Sequence, residues 1–142
     1  EPRSWMKISA QLDYACRVLA ELGRLHGSGA PAHGEHLAEV EAVPPPFLAQ
    51  ILQKLRHAGL IVSRRGVQGG YALARPPAEI SVLDILLAVE GQALQLSGNA
   101  EGRSGRRVRQ VWTELGAVIE ARLRATTLDQ LVAREAAEMY YI

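Results

Sequence analysis

Apolar residues recur at three- and four-residue intervals through the first part of this chain. Leu12, Ala15, Val18, Leu19, Leu22 and Leu25 form one stripe, with Asp13, Arg17, Glu21 and Arg24 between them. That period is helical and predicts a helix over residues 7–25. Residues 27–31, rich in glycine and ending in Pro31, read as a loop. Leu37, Ala38 and Val40 carry a short helix over residues 34–41, and Ala42, Val43 and Pro44 make a tight turn. Pro45 and Pro46 suit the first turn of the next helix, where a missing N–H costs little. Phe47, Leu48, Ile51, Leu52 and Leu55 then give that helix a buried face, while Gln50, Gln53, Lys54, Arg56 and His57 fill the rest. Gly59 fits its C-terminal cap, where a left-handed backbone is needed. At Leu60, Ile61 and Val62 the helical period gives way to a strand, and a second strand starts at Tyr71.

Between those strands lie Arg64, Arg65, Gly66, Gln68, Gly69 and Gly70, which place fixed charge on a backbone able to approach a partner closely. Arg75, Pro76 and Pro77 end the hairpin. Ser81 with Asp84 is a capping-box start, Ile80 and Ile85 form a plausible staple, and a helix continues through Leu83, Leu86 and Val89. Residues 91–105 read as a flexible, mostly polar loop. A long helix is expected over residues 106–124, where Val108, Val111, Trp112, Leu115, Val118, Ile119 and Leu123 follow a spacing close to a coiled-coil seam. Such a stripe needs a partner surface, and a symmetric second copy is favoured over packing on its own domain. Thr127 with Gln130 starts a closing helix from Leu128 to about residue 137. The expected fold is mainly α with a small β-hairpin: a winged helix-turn-helix domain over residues 6–90, the loop, and a dimerisation unit over residues 106–137.

Composition refines this picture. The chain has 142 residues, 48% of them hydrophobic, which is enough for one core. Residues 1–5 precede Met6, read as a remnant or an extended start, and are given no structural weight. No apolar run is long enough to span a bilayer, no secretory signal pattern is present, and a reducing cytoplasm is the expected compartment. The net charge is only +1, so only its distribution suggests phosphate: Arg64 and Arg65 cluster at the hairpin, and Arg103, Arg106, Arg107 and Arg109 cluster later. A single cysteine, Cys16, excludes an internal disulfide and a cysteine-rich metal site. It is expected to be a small buried hydrophobe rather than a redox thiol. His33 and His36, with Glu35 and Glu39 nearby, fall short of a convincing metal set. The glycine-rich stretch at the hairpin lacks the lysine and helix start of a phosphate-binding loop. No Ser/His/Asp set or carboxylate pair has catalytic spacing, so an enzyme is not expected.

These residues resemble the Rrf-type winged-helix transcriptional regulators, the family that includes IscR, NsrR and CymR. The resemblance runs from Met6 to about Val132. It is most specific in FLAQILQKLRHAGLIVSRRGVQGGYAL, where the family has Tyr/Phe-Leu-x-Gln, Leu-x-x-x-Gly-Leu and Arg-Gly-x-x-Gly-Gly-Tyr. It implies a homodimer on a near-palindromic DNA operator, with recognition helices in successive major grooves about 34–36 Å apart. By that resemblance, Pro44, Pro46, Phe47 and Gln50 occupy the recognition-helix positions near DNA, and Lys54 on the same helix is a further DNA-binding candidate. Arg64, Arg65, Gly66, Gln68 and Gly69 fall on the wing, with Arg65 in a minor groove and Gln50 able to read adenine. The reading favours a repressor, with a small molecule or a protein as its effector.

Three departures stand out. Pro44, Pro45 and Pro46 replace serines at the helix start and so remove hydroxyl and N–H donors. Ala49 stands where some members are acidic. Sensor members hold an iron–sulfur cluster on three cysteines in the loop before the long helix, and residues 91–105 have none. A member without a cluster or other cofactor is expected; the alternative is a sensor whose ligands have been replaced in this chain. A further alternative is an interaction module that regulates through a metabolic-enzyme partner.

Overall fold

Ser9 sets where the chain first becomes helical. In a computed structural model, which describes residues 7–133, the Ser9 hydroxyl accepts from the Leu12 N–H at 3.1 Å. Helix α1 therefore spans Ala10–Leu25 and does not start at residue 7, because the serine satisfies a free first-turn amide at that point. Its buried stripe is Leu12, Ala15, Val18, Leu19 and Leu22, with Leu25 only partly covered.

Helices α2 (Gly34–Val40) and α3 (Pro45–His57) form the helix-turn-helix. The turn depends on Ala42, which is left-handed at φ +53°. The Val43 N–H donates to the Ala38 carbonyl (2.9 Å) and the Ala42 N–H to the Glu39 carbonyl (3.4 Å). This is the Schellman closure, with alanine where glycine is usual. Helix α3 ends by the same closure with the expected glycine. The Leu60 N–H reaches the Leu55 carbonyl at 3.0 Å, and Gly59 sits at φ +78°.

Strands β1 (Ile61–Arg64) and β2 (Gly70–Leu73) pair antiparallel, Ile61 opposite Leu73 and Arg64 opposite Gly70. The first strand runs past the apolar triplet 60–62 because pairing, not hydrophobicity, defines its end. A bridge ties the hairpin to the loop after α1: the Ala32 N–H donates to the Tyr71 carbonyl (2.8 Å), and the Tyr71 N–H donates to that of Ala32 (2.7 Å). Gly70 permits this approach, since a Cβ there would overlap the Ala32 carbonyl.

After a 3-10 turn (Pro77–Glu79), helix α4 spans Val82–Glu90. Its capping box is complete: Ser81 Oγ accepts from the Asp84 N–H (3.1 Å), and the Asp84 carboxylate accepts from the Ser81 N–H (2.9 Å). Ile80 and Ile85 are both fully buried in the common core, as a staple requires. Helix α5 spans Gly105–Ala125. The chain then returns to the winged domain, with the Val82 N–H on the Thr126 carbonyl (2.9 Å) and the Leu128 N–H on that of Ile80 (2.8 Å).

The expected box at the closing helix is half formed. The Gln130 carboxamide accepts from the Thr127 N–H (3.3 Å), but the Thr127 hydroxyl turns to the Asp129 carboxylate. Residues 128–133 are helical; the expected continuation to residue 137 lies outside the described residues. Leu128 is fully buried and joins Leu19, Leu37, Ile51, Leu55 and Ile85 in one core.

The resulting fold is mainly helical with one two-stranded wing. No residue of α5 is buried within the chain. Val108, Val111, Trp112 and Val118 are exposed, Trp112 by 46% and Val118 by 66%, while Leu115, Ile119 and Leu123 are partly covered.

Candidate nucleic-acid interface

Helix α3 buries Leu48, Ile51, Leu52 and Leu55. At about 100° per residue, the side opposite that stripe carries Pro46, Gln50, Gln53 and His57, and all four are exposed. Phe47 departs from the expected buried face. It lies about a quarter-turn from the stripe's centre, is 41% exposed, and packs edge-on against Tyr14 with ring centroids 5.6 Å apart. Arg17 in turn stacks on Tyr14, its guanidinium carbon 5.4 Å from the ring centroid. An aromatic pair of this geometry adds an attractive contact between α1 and the start of α3.

Gln50 and Lys54 are exposed but not idle. Gln11 Nε2 donates to Gln50 Oε1 (3.2 Å), Lys54 Nζ donates to Gln11 Oε1 (2.7 Å), and Lys54 also reaches the Val89 carbonyl (3.2 Å). This chain of bonds pre-orients the Gln50 carboxamide and holds the Lys54 ammonium against α1 and α4. Gln53 and His57 have no such tether among the described residues. Sequence patterning did not single out Gln11, because nothing local marks a helix-start glutamine as a partner of a residue 39 positions away.

The three prolines act at the helix start as their chemistry dictates. Pro44 is the N-cap, no side chain caps the helix, and Pro45 and Pro46 have no N–H to offer. The Leu48 N–H already bonds the Pro44 carbonyl (3.0 Å). Only the Phe47 amide remains free there for an anion.

The wing projects Arg64, Arg65, Gly66, Val67 and Gln68 as exposed residues, whereas Gly69 is buried. Its tip closes through the Gly69 N–H on the Gly66 carbonyl (2.9 Å). A Cβ on Gly69 would overlap the Arg64 carbonyl, so glycine there serves the turn itself. Neither arginine has an ion-pair partner among the described residues. Val67 is 97% exposed at the tip, a position that charge-based reasoning passed over. Across residues 42–78, which include α3 and the wing, there is no Asp or Glu, although the chain has 15 acidic residues. Lys54, Arg56, Arg64 and Arg65 therefore make a local positive field on a nearly neutral protein, whereas Arg75 is paired with Asp84 at 3.8 Å.

The remaining candidates serve structure. The carboxylate of Glu21 is largely buried, held by Arg24 (3.2 Å) and by His36 Nε2 (2.7 Å), while Arg24 also meets Glu41 (3.2 Å). This network ties α2 to α1 and accounts for His36. Among the described residues no three His, Cys, Asp or Glu side chains converge as a metal set. Cys16 is partly buried on α1, and burial, aided by Asp13, pushes its thiol up to about 11. A cysteine-ligated cluster does not fit this donor set, since residues 91–105 supply no thiolate and Cys16 stands alone. No helix among the described residues is long and apolar enough to cross a membrane.

Comparison with known proteins agrees with this geometry. The pattern of the Rrf2 family, described as "Iron-dependent Transcriptional regulator", matches residues 8–134. A Mycobacterium tuberculosis protein assigned as an HTH-type transcriptional regulator is 37% identical over 128 residues, covering 87% of this chain and 79% of that one. The transcriptional regulator CymR of Bacillus subtilis is 30% identical over 141 residues, covering 96% of this chain and all of its own length. Its solved structure, described as that of the global cysteine regulator, superposes with a TM-score of 0.79 at 28% identity over 92% of this chain and 98% of that one. The structure of T. potens IscR gives a TM-score of 0.76 at 32% identity, over 92% and 88% of the two chains. The chain thus belongs to the Rrf2 family of winged-helix, DNA-binding transcriptional regulators.

Proposed function

We propose that this regulator acts as a homodimer on a near-palindromic operator and represses transcription by occupying it. Helix α3 enters the major groove through Pro44, Pro46, Phe47, Gln50 and Lys54, and the wing lies along the minor groove through Arg64, Arg65, Gly66 and Gln68, with the buried Gly69 shaping the turn that presents them. The observation that carries this is the absence of acidic residues from α3 and the wing, with neither wing arginine ion-paired among the described residues. Base readout falls to the pre-oriented Gln50, whose carboxamide can pair with adenine. The long helix α5 supplies the symmetric contact, its exposed Val111, Trp112 and Val118 covered by the same face of a second copy.

The test begins by selecting bound sequences from random DNA, which should return two half-sites related by a two-fold axis. Affinity for the selected site is then measured against salt concentration. Arg65→Ala should weaken binding and lower the log–log salt slope by about 1.8, roughly 0.9 for the phosphate neutralisation lost at each of the two wings. Unchanged affinity and slope would remove the wing from the interface. Weak binding without sequence preference in the unaltered chain would instead point to regulation through a protein partner.

A further inference from the structure

A cleft lies beside the wing. The end of α1, the loop that follows it and the inner side of the hairpin enclose a cleft of about 230 Å³. Its floor is aliphatic, made by Leu22, Leu25 and Leu73. Arg64, His26, Gly27, Gly29 and Tyr71 also line it, and no residue that carries a carboxylate or carboxamide does. Arg64 has no ion-pair partner among the described residues. Gly27 and Gly29 are left-handed, at φ +90° and +80°, and their N–H groups find no acceptor among the described residues. The cleft therefore offers donors and positive charge above an apolar floor, in a space smaller than the roughly 300–1,000 Å³ of drug-sized sites.

We infer that this cleft binds a small carboxylic acid with a short branched aliphatic body. The carboxylate sits on Arg64, which can hold it by two parallel N–H···O bonds, and the body covers the leucines. An inorganic anion would leave the aliphatic floor wet, and a neutral molecule would leave the guanidinium unmatched. The site is coupled to the wing by construction: Arg64 is in β1, Leu73 is in β2, and the Ala32–Tyr71 bridge anchors the adjoining loop to the hairpin. An acid bound here withdraws Arg64 from DNA and lowers operator affinity; this consequence rests on the function proposed above, whereas binding itself does not.

Binding is measured first without DNA. The whole chain is titrated with sodium 4-methylpentanoate, and with its neutral twin 4-methylpentanamide, while the methyl NMR signals of Leu22, Leu25 and Leu73 are followed. The acid should shift these methyls saturably, with Kd on the order of 1 mM for so small a probe. The amide should bind about tenfold more weakly for want of the charged pair. Arg64→Gln should reduce the acid to the amide's level, and Arg103→Gln, outside the cleft, should leave it unchanged. Equal binding of acid and amide, shifts that never saturate, or an Arg64→Gln protein that still prefers the acid would each overturn the site. The DNA titration separates the two claims. Acid binding by a protein with no affinity for DNA would remove the regulator's proposed mode of action and leave the cleft standing. Sequence-specific DNA binding without acid binding would do the reverse.

Discussion

Two residues show how a single position carries physical consequences that neighbouring sequence does not reveal. Ala42 occupies a left-handed conformation at φ +53° to close α2, where an L-residue's Cβ is crowded against its own backbone. Ala42→Gly should raise stability by about 0.5–1 kcal/mol, read from chemical denaturation midpoints at unchanged slope; a loss of stability would show that the methyl packs usefully in the turn. Cys16 is the second case. Its thiol is held protonated by burial first and by the Asp13 charge second, up to about 11 from an ordinary value of 9.0. Iodoacetamide should therefore label it slowly at pH 8 in the folded protein and quickly in urea. The raised folded value also fixes the sign of a pH effect: its contribution to stability is complete while both states keep the proton, and falls as pH rises from about 9 through about 11. Cys16→Ala should lack that alkaline loss, and a superimposable pH profile would dismiss the thiol as its cause. The residues around it were legible in the pattern as an amphipathic face. The left-handed alanine was not, because the sequence marks a turn there without stating which residue takes the costly conformation.

At the level of elements, caps decide where helices begin more sharply than hydrophobic period does. The stripe in the first helix extends the expectation to residue 7, whereas the Ser9 hydroxyl starts it at Ala10. The Ser81–Asp84 box, by contrast, is visible in sequence and complete in structure. Ser81→Ala removes the acceptor for the Asp84 amide and should cost about 1 kcal/mol, or roughly 4 °C in melting temperature. Because Ser81 also borders the bridge that docks the closing segment, a larger loss would mean that cap and docking are coupled. Helix α3 illustrates a different limit. Its glutamine and lysine positions follow from the sequence, but the path Gln50–Gln11–Lys54–Val89 joins three helices. Such a path exists only once those helices pack, since no local propensity brings residue 11 beside residue 50.

For the whole molecule, α5 poses the main energetic question. A 21-residue helix with no buried residue and several exposed large apolar side chains draws only part of its stability from the described chain, because helix stability in water comes mostly from covering an amphipathic face. On the proposed dimer, Trp112 lies in the seam, and Trp112→Ala should weaken association by about 3–5 kcal/mol if the partner buries it fully. Sedimentation at several protein concentrations would then show a monomer where the unaltered chain is dimeric. An unchanged sedimentation profile and melting curve would place the seam elsewhere. Leu128 belongs to the same scale: sequence grouped it with the long helix, yet it is fully buried in the winged domain's core. Chain proximity and spatial proximity part company here because the end of α5 packs Leu123 on that core and delivers Thr126 and Leu128 to Val82 and Ile80, more than 40 residues earlier in the chain.

What the sequence alone determined about this protein is whatever depends on short-range chemistry. Hydrophobic period specified the helices. Proline and glycine specified the turns and the wing tip. The arginine, glycine and tyrosine pattern of the hairpin marked the family. Tertiary structure alone decided which polar groups became partners, which side of α3 stayed free, and which residues of α1, the following loop and the wing, Arg64 among them, came to line one cleft. The reason is physical. Backbone preferences and amphipathic faces are set by neighbours within a few positions, whereas a hydrogen-bond partner or a cavity is created by segments that meet only when the core has formed.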